Sequence, residues 1–125
     1  MATILIVDDD EMERLLDRTI LEDVGHELYF AKDGADALSI FRERDFDVVI
    51  TDLNMPRIDG LKLIRQIREI DATAEVIVVS GVGPGRLEQA QDLGAIDTLA
   101  KPVDRDELIE AVANAVKRKE ADDWA

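Results

Sequence analysis

The chain has 125 residues, a length that suits one domain. Its formal net charge of -14 argues against binding to nucleic acid or an anionic membrane, and favours basic partners and divalent cations. It has no cysteine, which excludes disulfides and thiolate metal sites. No apolar run approaches the roughly 20 residues that span a bilayer. No basic segment precedes an apolar one at the N-terminus, so a cytoplasmic protein is expected. Aromatic residues make up only 4%, so the core must be built from Ile, Leu, Val and Ala.

The first predicted element is a strand over 3–7, ending in Asp8-Asp9-Asp10-Glu11. Met12, Leu15, Leu16, Thr19 and Ile20 follow at helical spacing, with Asp9 or Asp10 able to cap the helix and Gly25 to stop it. A second strand fits 26–31, and Asp33-Gly34 turns the chain into a helix carrying Ala35, Leu38 and Phe41. Val48, Val49 and Ile50 form a β-branched apolar run, as in a strand buried on both faces. It stops at Asp52. Met55-Pro56 forbids further pairing, and Asp59-Gly60 turns into a helix marked by Leu61, Ile64, Ile67 and Ile70.

A fourth strand fits 75–79 and ends at Ser80, before a glycine-rich loop over 80–85. A short helix over 87–93 stops at Gly94. The fifth strand, 96–100, ends at Lys101-Pro102. Asp104 or Asp106 can cap a last helix carrying Leu108, Ile109, Val112 and Val116, with Lys117, Arg118 and Lys119 in its final turns. Residues 120–125 read as a frayed tail.

This βα alternation implies an α/β fold, a five-stranded parallel sheet covered on both faces by right-handed crossovers. In such a sheet all C-terminal strand ends share one edge, where open α/β folds place their sites. That edge gathers Asp8, Asp9, Asp52, Ser80 and Lys101. Carboxylates so gathered repel and raise one another's pKa. A hard cation resolves the conflict, and Mg²⁺ suits one or two carboxylates, waters and phosphate oxygens. Lys101 suits a phosphoryl oxygen as a point charge, and Ser80 offers a hydroxyl. A carboxylate nucleophile, a metal, a cation and a hydroxyl suit phosphoryl transfer onto aspartate.

Val7-Asp8-Asp9, Thr51-Asp52-Leu53-Asn54-Met55-Pro56, Asp59-Gly60, Ser80-Gly81, Gly94-Ala95 and Lys101-Pro102 occur in this order, each near a strand end. On these residues the chain resembles the receiver domain of two-component response regulators, the CheY-like family, over about 3–117. The resemblance implies a doubly wound flavodoxin-like (βα)5 fold with strand order 2-1-3-4-5, and one receiver domain over 1–125. It implies that Asp52 is the phosphoacceptor, and that Ser80 and Lys101 hold the phosphoryl oxygens. Mg²⁺ would be bound by Asp9 and Asp52, by the backbone carbonyl of Asn54, and by Asp8 through water. It also implies a cis Lys101-Pro102 bond. The implied partners are a histidine kinase or phosphotransfer protein, and an output protein bound through the fourth helix, fifth strand and fifth helix. No separate substrate is expected beyond self-phosphorylation and autodephosphorylation.

Other readings fit less well. An aspartyl-phosphate phosphatase usually carries an acid two residues after its nucleophile, where this chain has Asn54, which cannot supply that proton. A flavodoxin-like mononucleotide site would meet repulsion from Asp8, Asp9 and Asp10. A degenerate receiver that only binds partners would not need the complete acid pocket. The 81–85 segment lacks the Gly-Lys-Ser/Thr ending of a phosphate loop. His26 lies far in topology from the acids, and Trp124 falls in the tail. Two positions depart from the family: Thr98 stands where receivers commonly carry Tyr or Phe, and Val82 occupies a site that tunes dephosphorylation in relatives. Switching is therefore expected to rely on the 81–86 loop and the fourth helix. Only 23 residues follow Pro102, leaving no room within this sequence for an output domain.

Overall fold

The computed structural model describes residues 2–55, 57–81 and 83–124. The elements are β1 (Thr3–Val7), α1 (Glu11–Glu22), β2 (Glu27–Ala31), α2 (Gly34–Glu43), β3 (Val48–Thr51), α3 (Gly60–Ile70), β4 (Glu75–Ser80), α4 (Pro84–Asp92), β5 (Asp97–Ala100) and α5 (Arg105–Trp124). The strands form one parallel sheet in the order β2-β1-β3-β4-β5. Val7 pairs with both Ala31 and Thr51, Thr51 with Val78, and Ser80 with Ala100. This register brings the residues after each strand to one edge.

Strand alternation divides the core into two layers. Leu5, Val7, Val49, Val76 and Val78 face α2, α3 and α4, meeting Leu38, Phe41, Leu63, Ile64, Ile67 and Ala90. Ile4, Ile6, Val48, Ile50, Ile77 and Val79 face α1 and α5, meeting Ile20, Leu21, Leu108, Ala111, Val112 and Ala115. Each fully buried Ile or Leu is worth roughly 1.5–3 kcal/mol relative to exposure, so packing rather than helix propensity holds these helices in place.

The helices differ from the sequence reading in three ways. In α1 the buried residues are Asp17, Ile20 and Leu21, whereas Met12, Leu15 and Leu16 are 70%, 51% and 41% exposed. The helix is rotated so that much of its apolar stripe faces outward. The fourth helix starts at Pro84 rather than Leu87, because Pro fits the first helical position behind the Gly83 cap. The last helix begins behind Asp104, which caps Glu107 N–H at 3.0 Å, and continues through Trp124. Lys117, Arg118 and Lys119 therefore lie inside it rather than in its last turn. Two of them make tertiary contacts: Lys119 donates to Thr73 Oγ1 at 2.6 Å and lies 3.5 Å from Asp71, and Arg118 lies 3.6 Å from Glu75. These contacts tie the helix to the α3–β4 connection.

Candidate functional site: an acid pocket at the sheet edge

Asp52 follows β3 directly, and its N–H donates to Val7 O at 3.1 Å, which extends the ladder between β3 and β1. Its backbone is held from the other side by α3. A Cβ on Gly60 would sit 2.3 Å from Asp52 O and 2.6 Å from Leu53 Cα, so only glycine lets α3 start this close. The Asp59 side chain caps the same helix, accepting from Lys62 N–H at 3.0 Å. The turn noted in the sequence is thus what seats the central carboxylate.

Three further strands complete the pocket. Lys101 Nζ bridges two acids, donating to Asp8 Oδ2 and to Asp52 Oδ2, each at 2.8 Å. The Ser80 hydroxyl donates to Asp52 Oδ1 at 2.6 Å, and Asn54 N–H donates to the same oxygen at 3.1 Å. Asp8 Oδ1 accepts from Asp10 N–H at 2.9 Å. Asp8 and Asp52 are buried and Asp9 is exposed. One carboxylate oxygen from each of Asp8, Asp9 and Asp52 lies within 4.8 Å of the others, a donor set that fits a hard divalent cation. The Lys101-Pro102 bond is cis, as the resemblance implied.

The electrostatics separate the two buried acids. Burial acts most strongly on Asp52 and would raise its pKa. Hydrogen bonds from Lys101, Ser80 and the Asn54 amide outweigh burial, and hold the carboxyl below its ordinary value. Asp8 has fewer donors. Burial dominates there and, with repulsion from Asp52, raises its pKa despite Lys101 and the Asp10 amide. Lys101 is also disfavoured by burial, but its bonds to both carboxylates raise its pKa above 10.5 and keep it charged. The pocket therefore holds Asp52 ionised and largely out of water, as a carboxylate nucleophile requires.

Asp10 caps α1, accepting from Met12 N–H at 2.9 Å, and leaves Asp9 free for the pocket. His26 lies away from the acids and its Nδ1 accepts from Ala2 N–H at 3.1 Å. Thr98 on β5 accepts from Gln91 Nε2 of α4 at 3.3 Å, so the position noted for its missing ring makes a hydroxyl contact with α4. Val82 and the Trp124 side chain lie outside the described residues.

Two residues escaped the sequence reading. Arg14 Nη1 donates to Asp8 O at 2.6 Å. Asp17 is 3% exposed, and among the described residues its Oδ1 has no hydrogen-bond partner. Burial is the main cause that raises its pKa to about 7, with Asp8 and Glu13 adding to the shift and Lys101 opposing it. Its spacing of three and four from Ile20 and Leu21 marks it as a core position.

The family model for the response regulator receiver domain matches residues 4–113. This chain belongs to that family. It is 36% identical over 111 residues to the chemotaxis protein CheY of Bacillus subtilis, covering 87% of this chain and 92% of that protein. It is 33% identical over 110 residues to the sporulation initiation phosphotransferase F of the same organism, covering 87% and 89%. Among solved structures, a response regulator receiver domain protein from Clostridium thermocellum superposes with a TM-score of 0.92 at 35% identity, covering 97% and 98%. Receiver domains are phosphoacceptor signalling switches of two-component systems rather than enzymes with a separate substrate, and the strand order here is theirs. The match ends within α5. No helix among the described residues is long and apolar enough to cross a membrane.

Proposed function

We propose that Asp52 is the phosphoacceptor, and that phosphorylation depends on Mg²⁺ held by Asp9, Asp52 and the Asn54 carbonyl, with Asp8 acting through water. The observation that carries this reading is the Lys101 ammonium, 2.8 Å from both Asp8 and Asp52, with Ser80 on the other Asp52 oxygen. In this reading Lys101 and Ser80 receive the phosphoryl oxygens, and their contacts with Asp52 support it. One Asp52 oxygen forms the new P–O bond as the donor's P–N bond breaks, and the departing imidazole keeps the electron pair and is protonated. A divalent cation held by Asp9, Asp52 and the Asn54 carbonyl would supply charge neutralisation for the transferring group.

The donor is a cytoplasmic histidine kinase or phosphotransfer protein. The similarity to phosphotransferase F supports this, as does a groove of about 260 Å³ along α1 that includes Met12, Leu15 and Phe30 and begins just after the acid pocket. The output is a partner protein bound through α4, β5 and α5. The Gln91–Thr98 contact supports switching through α4 and its preceding loop, since no ring is available to move inward. Incubation with acetyl phosphate and Mg²⁺, read by intact mass, tests the assignment. The expected product is an acid-stable, base-labile phosphoryl adduct that Asp52→Asn abolishes. The same adduct on Asp52→Asn would refute it.

A further inference from the structure

Asp8 and Asp9 are neighbours in sequence but are held very differently. Every polar group of Asp8 has a partner. Its N–H donates to Ala31 O at 3.1 Å, its Oδ1 accepts from Asp10 N–H, its Oδ2 accepts from Lys101, and its carbonyl oxygen accepts from Arg14. Asp9 is exposed, and among the described residues its side chain makes no hydrogen bond or ion pair. Its place must be set by its neighbours.

The Asp8 carbonyl and the Asp9 N–H are the two ends of one rigid peptide plane. Arg14 grips that plane by its oxygen at 2.6 Å. Arg14 stands on the second turn of α1, is half-buried, and is six residues from Asp8. Its guanidinium is therefore anchored in the helix that the Asp8–Asp10 turn leads into. With β2 holding the N–H of Asp8 and α1 holding its carbonyl, the Cα of Asp9 has little freedom left.

Charge alone predicts the opposite of a useful role. A guanidinium beside an acid pocket repels a divalent cation and should weaken its binding. We infer that Arg14 is a positioning residue for the metal site: it fixes the Asp8–Asp9 peptide plane so that the exposed Asp9 carboxylate faces Asp8 and Asp52. This rests on the Mg²⁺ reading above and adds a residue that itself ligates nothing. It also places one side chain in two features at once, since Arg14 lines the α1 groove that begins beside the pocket.

The opposing signs make the test decisive. Arg14→Met keeps the length of the side chain but removes both donor and charge. Mg²⁺ binding to the full chain, measured by calorimetry, is expected to weaken about five- to tenfold, the scale of one net hydrogen bond in a protein. Arg14→Lys restores a donor and is expected to recover part of that loss. With acetyl phosphate, the Mg²⁺ concentration for half-maximal rate should rise by the same factor, while the rate at saturating Mg²⁺ stays unchanged. Equal or tighter Mg²⁺ binding by Arg14→Met would overturn the inference, because charge would then be the whole effect. A Lys variant as weak as the Met variant would also overturn it. If the unsubstituted chain bound no Mg²⁺, the metal assignment itself would fall and this inference with it.

Discussion

Two lysines in this molecule sit in similar company at opposite ends of the sheet. Lys101, at the C-terminal edge, touches Asp8 and Asp52, with the Ser80 hydroxyl on the same carboxylate. Lys119, on α5, lies beside Asp71 and donates to the Thr73 hydroxyl, and the Thr73 hydroxyl in turn donates to Asp71. Lysine, aspartate and hydroxyl recur in both. The difference is in the balance of charge. Around Lys101 three carboxylates share one ammonium. At the other end Lys119 and Arg118 face Asp71 and Glu75, cation for anion. The second cluster is a fastening for the long helix. The first is electrostatically incomplete, and that incompleteness is what makes it a site.

Removing each lysine should expose this contrast. Lys101→Met leaves Asp8 and Asp52 facing each other without a counter-charge. Denaturant unfolding at pH 7 without metal is expected to show a loss of roughly 3–5 kcal/mol. Added Mg²⁺ should restore part of it, since a divalent cation answers the same charges. A metal-insensitive loss would break the comparison.

Asp17 sharpens it next, as a buried acid whose Oδ1 has no hydrogen bond among the described residues. Its pKa is raised from 3.8 to about 7, so the folded state binds the proton more tightly than the unfolded chain. The sign follows: the destabilisation is absent below about pH 3.8, grows as pH rises, and is complete above about pH 7. Asp17→Asn should therefore stabilise the protein by about 2–4 kcal/mol at pH 8 and change little near pH 4. Chemical unfolding at the two pH values gives the answer, and an equal gain at both would mean that charge is not the cause.

Smaller effects complete the series. Lys119→Met should lose only about 1–2 kcal/mol, with no response to Mg²⁺ in the same unfolding assay. Arg57, in the β3–α3 connection, has φ of 68°, a left-handed conformation that a long side chain adopts at a cost. Arg57→Asn should raise stability by roughly 0.5–1 kcal/mol and leave the acetyl phosphate reaction unchanged. A changed rate would show that strain, as well as charge, contributes to the site.

Much of this was legible in the chain itself, for a physical reason. Strands buried on both faces must be apolar runs, so polar residues mark where they end, and in a parallel sheet those ends share an edge. Val48 to Asp52 and Glu75 to Ser80 show this directly. Helix faces are less legible. Met12, Leu15 and Leu16 have the spacing of a buried stripe, yet Asp17, Ile20 and Leu21 face inward, because the neighbouring elements decide the rotation. The start of α4 was hidden because Pro84 signals a break and a first helical turn equally well. The reach of α5 was hidden because Lys119 and Arg118 find partners in Asp71 and Glu75, far away in sequence. Arg14 was missed because it acts on a backbone oxygen, and no side-chain pattern announces such a bond.

The contact between Lys101 and Asp8 spans 93 residues of chain. During synthesis the pocket cannot close until the segment after β5 has left the ribosome, although Asp52 emerges much earlier. If Asp52 is the acceptor, as proposed, a half-made chain presents that carboxylate without its Lys101 clamp, and the switch stays silent until the sheet is whole. Signalling competence is in this sense a report of completed folding.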